Sequence, residues 1–498
     1  MSEIFIPGIS SRFNSERVVD DLMRLERIPR DRVQNNIERL EGHRVYWQDL
    51  NRRANALRES ARHLFSFQNP FNDRMVSSSD DSILSGTATR AAIEQDRSFT
   101  VRQLAQADRF LSRPLEENFR IESGTYTFTV GSQEISFDFR GGTLSEFTEA
   151  LNRRNRDVLQ ASLIAVTPGT RSLLIESRVT GEENRLSFAG ASVDLGLNTG
   201  MLEQTFDEQN NSSGFRPLNP VSLAQNSIIL MEGIEIHRPG NEINDLIPGL
   251  TITARQVSDR PVRLQVETNV DGVKDAIINF VGNFNRVMAE INILTRNDDR
   301  ILDELTYLTR EERDAYRSRL GVFSGDTTLM QLRNSLMQII GSAHPTSEYQ
   351  DLALLAQIGI STDARRTGGA HASQLRGYLE IDERMLDAAL ANRLPAVREL
   401  FANDTTGTLI ADSGVAVSVD NLLRPFTETG GLFTLRANTV NSQISQEQRR
   451  VETMDRQLLA READLRRQFS QMESAYNRMQ QMSTSFDRFN QQNNLNSR

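Results

Sequence analysis

The stretch from Val440 to Phe489, near the C-terminus, constrains the fold more than any other, because it contains neither proline nor glycine. Its larger apolar residues recur mostly at steps of three, four or seven, with Arg, Gln, Glu and Asp between them. This spacing predicts one long helix with a narrow apolar stripe. A helix of about 50 residues rises ~75 Å, so its stripe needs a second helix running beside it.

We call this stripe the C-terminal seam. Its first part consists of Val440, Ile444, Val451, Met454, Leu458, Leu465 and Phe469. Its last part, which we call the end strip, consists of Met472, Tyr476, Met479, Met482, Phe486 and Phe489. A matching N-terminal seam consists of Val33, Ile37, Leu40, Trp47, Leu50, Ala54, Leu57, Ala61 and Leu64. We expect the two seams to pair into a stalk closed by both ends of the chain; the alternative is two unrelated surface helices.

Composition excludes several classes of function. The formal net charge of −10 argues against nucleic acid as a main partner. Lys274 is the one lysine and follows Val273, which excludes a Walker A phosphate loop. The absence of cysteine excludes disulfides, thiolate metal sites and thiol catalysis. No apolar run approaches the ~20 residues needed to span a bilayer, and residues 1–10 lack the features of a secretory signal, so we expect no membrane insertion.

The N-terminal part predicts two helices separated by a proline. Met1–Ser11 contains Pro7 and Gly8 and is expected to be mobile. Ser15–Glu26 predicts a short amphipathic helix, which Pro29 separates from the long helix carrying the N-terminal seam. The long helix is expected to reach about Phe67.

From Met75 the pattern changes to alternation of apolar and polar residues, which predicts strands up to about Thr268. One hairpin is expected to join Gly124–Gly131 to Glu134–Phe139. A helix is expected from Leu144 to about Arg156, capped by Thr143, and a polar linker or exposed loop at Asp207–Pro220. Helices then return at Val273–Arg296, Arg310–Arg319, Leu329–Gly341, Arg384–Asn392 and Leu394–Phe401.

The predicted fold class is α+β and multidomain. Long N- and C-terminal helices form a coiled-coil-like stalk with a helical domain, and two β-rich domains are inserted into it. The predicted division is a flexible segment with a short helix (1–32), a discontinuous helical stalk domain (33–72 with 269–460), a discontinuous first β-rich domain (73–112 with 222–268), a nested second β-rich domain (113–221) and a C-terminal leg (461–498).

Residues typical of catalysis or metal binding do not cluster in this sequence. The five histidines are scattered, and none lies at metal-ligand spacing with carboxylates: they are His43, His63, His237, His344 and His371. The methionines near the C-terminus recur at helical spacing, which is typical of adaptable packing within the chain or against partner subunits. We therefore expect no enzyme and no cofactor.

Several segments, in their order along the chain, resemble the flagellar filament cap protein family (FliD, flagellar hook-associated protein 2). The most distinctive is Leu-Ala-Gln-Ala at Leu104–Ala107, which follows a predicted strand. The similar segments are Pro7–Pro29, Ser98–Ser112, Thr143–Ser187, Glu235–Ala254, Ala356–Asp363, Gly377–Leu390 and Val397–Asn403. Residues 301–320, 343–351 and 365–374 look longer than the pattern of the family requires, which indicates insertions.

The resemblance implies a protein exported through the flagellar type III channel that forms a homo-oligomeric ring at the tip of the filament. Flagellin would fold and insert beneath this ring. The other implied partners are the junction proteins of the flagellum and a cytoplasmic export chaperone at the C-terminal helix. The filament, and the cap with it, would be extracellular, or periplasmic if the flagella are internal as in spirochetes.

Two other functions stay open on the sequence alone. One is an adhesin-like surface-binding module on a helical stalk, and the other is a hook–filament junction protein, which shares the helical ends. Because the N-terminal helix is expected to cover about two thirds of the C-terminal rod, we expect the end strip to contact another subunit or flagellin.

Overall fold

The computed structural model describes residues 15–154, 156–207, 212–305, 308–347, 351–362, 376–408 and 410–495, and side chains up to residue 488. The chain divides into two compact units. The helical unit combines the residues up to Asn69 with those from Val273 onward, and the β unit comprises Pro70–Gly272. This α+β, multidomain architecture confirms the predicted fold class. The finer division into five parts stays a prediction.

The helices of the described chain are α1 (Ser15–Phe65), α2 (Leu144–Asn152), α3 (Ala191–Thr199), α4 (Val270–Thr295), α5 (Arg300–Glu304), α6 (Arg310–Arg317), α7 (Thr327–Gly341), α8 (Glu383–Asn392), α9 (Leu394–Phe401), α10 (Val415–Thr427) and α11 (Leu432–Leu495). Short 3-10 turns lie at Pro70–Asn72, Glu182–Asn184 and Leu355–Ile358.

The strands are β1 (Arg74–Ser78), β2 (Leu84–Ala88), β3 (Gln95–Gln103), β4 (Arg109–Leu111), β5 (Leu115–Glu116), β6 (Arg120–Val130), β7 (Gln133–Thr143), β8 (Leu159–Ile164), β9 (Thr170–Ser177), β10 (Leu186–Gly190), β11 (Leu202–Phe206), β12 (Ser212–Pro217), β13 (Pro220–Ser222), β14 (Ser227–Met231), β15 (Ile234–Arg238), β16 (Glu242–Ile247), β17 (Leu250–Ala254), β18 (Val262–Thr268), β19 (Ile360–Ser361) and β20 (Glu380–Ile381).

Helix α1 corrects the prediction that Pro29 separates two helices. The helix runs without a break for 51 residues, with Pro29 inside it. Proline removes one backbone donor and its ring crowds the preceding turn. Helix α11 packs against α1 on both sides of Pro29, at Met23 and at Val33, so tertiary packing keeps the helix continuous across this residue. The predicted mobile segment Met1–Ser11 lies outside the described residues.

The helical unit has its core around α4, whose apolar residues face the surrounding helices. Phe280 and Phe284 of α4 are fully buried, and Phe280 meets Phe401 of α9 edge to face with ring centroids 6.0 Å apart. Helix α1 packs against α10 and α11. The four predicted helices that correspond to α6, α7, α8 and α9 are confirmed, whereas α5 and α10 were missed.

Two of the three predicted insertions are partly described. In residues 301–320, Ile301 and Leu302 of α5 are buried against Ile293 of α4, so this segment packs on the helical unit. Residues 348–350 of the second insertion, and the whole of 365–374, lie outside the described residues.

The β unit contains two separate apolar cores. The first lies between a five-stranded antiparallel sheet, in the order β1–β18–β3–β14–β15, and a three-stranded sheet, β16–β17–β2. The second lies in the nested region and is built from β10–β6–β7, from β13–β4–β9–β5 with β8 paired to β9, and from α2 and α3. We call these the first β core and the nested β core.

The predicted hairpin and helix cap of the nested region are confirmed. Strands β6 and β7 pair from Val130↔Gln133 to Arg120↔Thr143. Gly131 takes the left-handed backbone conformation at the turn, with φ of +57°, which favours glycine. Thr143 caps α2 in a capping box: its backbone N–H donates to Glu146 Oε2 at 2.8 Å, and its hydroxyl accepts from the Glu146 N–H at 3.3 Å.

The predicted linker at Asp207–Pro220 is wrong over the described part of that range. Strands β11 and β12 pair antiparallel from Leu202↔Pro217 to Phe206↔Ser212, so the polar residues form one arm of a hairpin. The Glu203–Arg216 ion pair and the Ser213–Thr205 hydroxyl contact lie across this pair. Backbone pairing with β11 therefore outweighs the low strand propensity of the sequence.

Candidate functional site

The two ends of the chain form an antiparallel helical pair, α1 with α11. Three apolar residues of α1 are buried against α11 in one cluster, which contains Val33, Ile37, Leu40, Ile444 and Val451, with Val440 and Met454 partly buried beside it. A second cluster contains Val19, Met23 and Leu465, with Leu458 and Phe469 partly buried. The first part of the C-terminal seam is thus brought together with α1.

Polar contacts fix the register of this pair. Arg44 Nη1 donates to Asn441 Oδ1 at 3.1 Å, and Arg30 Nε donates to Asp455 Oδ1 at 3.0 Å. Glu26 lies 3.5 Å from Arg461. Residue numbers fall along α1 as they rise along α11, which defines antiparallel pairing. These side chains are partly or fully exposed, so each pair is worth only ~0–1 kcal/mol, and the apolar clusters provide most of the stabilisation.

The N-terminal seam faces two different surroundings. Its second half enters the core of the helical unit, where Leu50, Ala54, Leu57, Ala61 and Leu64 are fully buried. Trp47 marks the change: its indole stacks on Phe323 with centroids 4.5 Å apart and lies 6.0 Å from Phe433 of α11. The seam is therefore a stalk surface up to about Leu40 and a domain-core surface after Trp47.

The end strip continues the C-terminal seam toward the end of α11, past Leu465 and Phe469, which pack on α1. Its described side chains are between 48% and 69% exposed: Met472, Tyr476, Met479, Met482 and Phe486. The side chain of Phe489 lies outside the described residues. Large apolar side chains with this exposure at helical spacing are typical of a surface that binds a partner.

A second exposed apolar strip lies on α1 at the same end of the pair. Val18, Leu22, Leu25 and Ile28 are between 37% and 64% exposed. The sequence predicted an amphipathic helix here but not an open apolar face. Their spacing of four, three and three residues, next to the buried Val19 and Met23, was the signal that could have revealed a face wider than one seam.

Buried charges hold α1 onto α4 below the stalk. Glu290 of α4, which is 1% exposed, lies 3.3 Å from Arg53 of α1 and 3.2 Å from Arg319. Arg319 also lies 2.8 Å from Asp49 and covers the ring of Tyr46 at 4.9 Å. Burial raises the pKa of Glu290 above its ordinary value, against the opposing pull of the two arginines.

The described residues do not suggest an enzyme site. Among them, no group of three or more His, Cys, Asp or Glu could hold a metal ion. No helix in the described parts of the chain is long and apolar enough to cross a membrane. His43 packs edge-on against Phe323 at 5.4 Å, and His237 lies 2.7 Å from Glu235 at the surface. The apolar helical surfaces are therefore the candidate site.

Comparison with known proteins points to one family. Residues 11–108 match the family described as "Flagellar hook-associated protein 2 N-terminus", and residues 224–481 match "Flagellar hook-associated protein 2 C-terminus". The flagellar hook-associated protein 2 of Treponema maltophilum is 28% identical, over 91% of this chain and 94% of the relative. That of Treponema pallidum is 27% identical, over 89% and 93%.

A solved structure shares the fold. The crystal structure of the D1-D2-D3 domains of the flagellar cap protein FliD from Escherichia coli aligns with a TM-score of 0.54 and 22% identity. The alignment covers 80% of this chain and 99% of that one. The match to the C-terminal family description alone extends over more than half of the 498 residues. The chain therefore belongs to the flagellar hook-associated protein 2 family.

Proposed function

We propose that this protein is a non-enzymatic cap at the distal end of the bacterial flagellar filament. Copies of the chain assemble into a ring that promotes the folding and insertion of flagellin and prevents the loss of flagellin monomers. Membership of the family supports the flagellar setting. The single observation that carries the mechanism is the end strip, an exposed apolar face of α11 that continues the seam by which Leu465 and Phe469 pack on α1.

The end strip needs a helical partner. Burying a large apolar side chain stabilises by ~1.5–3 kcal/mol, so covering the exposed Met472, Met479, Met482 and Phe486 provides enough free energy to hold a leg in place. The strip lies on the same face of α11 as Leu465 and Phe469, which pack on α1. A partner that presents an amphipathic helix, either flagellin or a neighbouring subunit, therefore fits it by the same packing.

The α1–α11 pair can act as a detachable leg because it is only two helices wide. Two paired helices bury far fewer side chains than the helical core that follows Trp47, so the pair opens more easily than the core. A leg of this kind can release and rebind as the filament grows, while the core of the helical unit and the β unit stay folded.

The remaining partners and the location belong to the same proposal. Before export, a cytoplasmic chaperone covers the apolar C-terminal helix, and the chain leaves through the flagellar type III channel. At the base of a new filament it meets the flagellar junction proteins. The filament is extracellular, or periplasmic if the flagella are internal as in spirochetes, and the same leg would work in either place.

Deletion of the gene is the first test. We expect short or absent filaments and unpolymerised flagellin in the culture medium or the periplasmic fraction, measured by electron microscopy and immunoblotting. The wild-type gene in trans should restore the filaments. Filaments of normal length in the deletion strain would refute the proposal, and normal filaments with lost surface attachment would support the adhesin instead.

Substitutions in the end strip are the second test. Met479→Glu with Phe486→Glu should abolish capping, because both side chains are among the most exposed of the strip. Leu459→Glu is the matched control: Leu459 is an exposed leucine on the same helix but outside the seam. Circular dichroism should show unchanged helix content in both variants. Normal filaments in the double variant would exclude the strip as the contact.

Removal of residues 440–498 is the third test. This truncation takes away the helix that packs against α1 and should abolish capping. The β unit should keep its thermal transition, because its two cores contain no residue of α11. Loss of that transition would contradict the modular architecture.

A further inference from the structure

The chain passes twice between the first β core and the nested β core, and polar contacts surround both crossings. The outgoing crossing runs through Leu104–Ala107 to Asp108, and the returning one runs through residues 222–226. The two cores share no buried apolar residue. Their relative orientation is therefore set by polar contacts at and around the crossing segments.

Asp108 lies at the centre of the crossings. Its side chain is 2% exposed. Its Oδ2 accepts from the backbone N–H of Leu186 at 2.6 Å, and its Oδ1 accepts from the backbone N–H of Ala224 at 2.7 Å. Its carbonyl accepts from the N–H of Ser177 at 2.8 Å. One residue thus joins two strands of the nested region to the returning chain.

Neighbouring contacts keep the two crossings side by side. Gln106 and Gln225 exchange backbone hydrogen bonds of 3.0 and 3.2 Å. Ser222 Oγ donates to the carbonyl of Ala107 at 2.6 Å. Asn241, from the first β region, donates to the carbonyl of Ala105 at 3.0 Å and accepts from its N–H at 2.7 Å. The Leu-Ala-Gln-Ala motif is thus anchored mainly through its backbone.

The nested region also folds back onto the first one. Thr180 Oγ1 donates to the carbonyl of Pro239 at 2.6 Å, and the N–H of Glu182 donates to Asn226 Oδ1 at 2.9 Å. Gly181 approaches Pro239 so closely that a Cβ on residue 181 would lie 2.6 Å from the proline side chain. With φ of +106°, this position favours glycine for both reasons.

We propose that Asp108 is a positioning residue that locks the two β regions into one rigid body. A buried carboxylate is costly unless its oxygens are hydrogen-bonded, and removal of its partners leaves that cost uncompensated. Rotation of the nested region about the crossings would break the bond to Leu186, while the bond to Ala224 holds the two crossings side by side. The carboxylate therefore opposes that rotation, and the two regions of the β unit move as one.

The test compares Asp108→Asn with the unsubstituted full chain. Asparagine has the same shape, but its Nδ2 is a donor and would face one of the two N–H groups. Because the chain has no cysteine, spin labels can be placed at Glu134→Cys in the nested region and Gln265→Cys in the first, both of which are exposed. Pulsed electron resonance then measures the distance distribution between them.

We expect a narrow distribution in the unsubstituted chain and one at least twice as wide in Asp108→Asn. Hydrogen exchange at the amides of Leu186 and Ala224 should become at least tenfold faster, while that of Phe128 and Leu264, in the two cores, stays the same. The control Asp138→Asn changes an exposed aspartate of the nested region that bonds to Thr125, and should alter neither measurement.

Three outcomes overturn the proposal. The first is a broad distribution of the distance between the two spin labels in the chain that keeps Asp108, since the two regions would then not move as one. The second is an unchanged distribution in Asp108→Asn. The third is faster exchange throughout both cores, which would make Asp108 a residue for stability and not for positioning. The proposal concerns the β unit alone, so it can fail or succeed whether or not the protein caps filaments.

Discussion

Substitution of Leu465→Ala measures how the far end of the stalk is held. Leu465 packs with Val19 and Met23 of α1, and these three form the buried part of the last cluster in the pair. Leucine-to-alanine changes in cores cost ~2–5 kcal/mol. A two-helix site lies close to solvent and can collapse around the gap, so the lower end of that range, about 2 kcal/mol, applies here.

A loss of ~2 kcal/mol raises the local opening constant about 30-fold. We expect hydrogen exchange of residues 16–28 to accelerate by this factor in the full chain, measured by mass spectrometry of peptides. Residues 50–64 should exchange as before, because Leu50, Ala54 and Leu57 belong to the core of the helical unit. The control Leu459→Ala removes a side chain that is 68% exposed and should change neither region.

Two results would refute this reasoning. Equal acceleration in residues 16–28 and 50–64 would mean that α1 opens as one cooperative helix, so that its stalk and core halves are not distinct. Unchanged exchange in residues 16–28 would mean that the Leu465 cluster does not hold the end of the pair.

Three further predictions concern other parts of the chain. Thr143→Ala should destabilise α2 by about 1 kcal/mol because it removes the capping box, and hydrogen exchange of residues 144–152 should become faster. The control Thr148→Ala lies inside the helix and should leave exchange unchanged. Equal acceleration in both variants would contradict the role of Thr143 as a cap. The pKa of Glu290 is raised above 4.5, so the stability it contributes is present below pH 4.5 and is lost as the pH rises through its folded-state pKa. The unfolding free energy of the wild type minus that of Glu290→Gln, measured by urea titration, should therefore fall as the pH rises above 4.5. A difference that stays constant or increases with pH would refute the raised pKa. Dilute hydrogen peroxide should oxidise exposed methionines before buried ones, and equal rates by mass spectrometry would show that the strip is covered. The exposed set is Met472, Met479 and Met482, and the buried set is Met23, Met201 and Met288.

The helical ends could be predicted because their seams are periodic and uninterrupted. Val33, Ile37 and Leu40 face Ile444 and Val451, as the spacing indicates. Pro29 was misread because local sequence shows the lost backbone donor but not the neighbouring helix that compensates for it. Trp47 shows the same limit: the shift of the seam near Trp47 is visible in the sequence, but the stacking of its indole on Phe323, which is distant in the sequence, is not.

Contacts between polar residues distant in sequence could not be predicted at all. Glu290 is one acidic residue in an amphipathic helix, and nothing beside it in the sequence indicates Arg53 or Arg319. Asp108 likewise bonds to backbone groups of Leu186 and Ala224, which any residue type would supply. A side chain that hydrogen-bonds to backbone groups can therefore form a buried site whose partner residues cannot be recognised from their residue types.

The order in which the parts fold follows from their separation in the sequence. Arg30 and Asp455 meet across 425 positions, whereas β6 and β7 are joined by a two-residue turn. The chain enters and leaves the β unit at adjacent points, since Arg74 pairs with Thr268 and the N–H of Asn269 donates to the carbonyl of Asp73 at 2.9 Å. Folding of the β unit therefore roughly halves the loop that the stalk must close. Halving a loop is worth only ~0.6 kcal/mol, too little to matter for stability. The larger effect is on order: local β pairings form first, and the stalk closes last, when both ends of the chain are available.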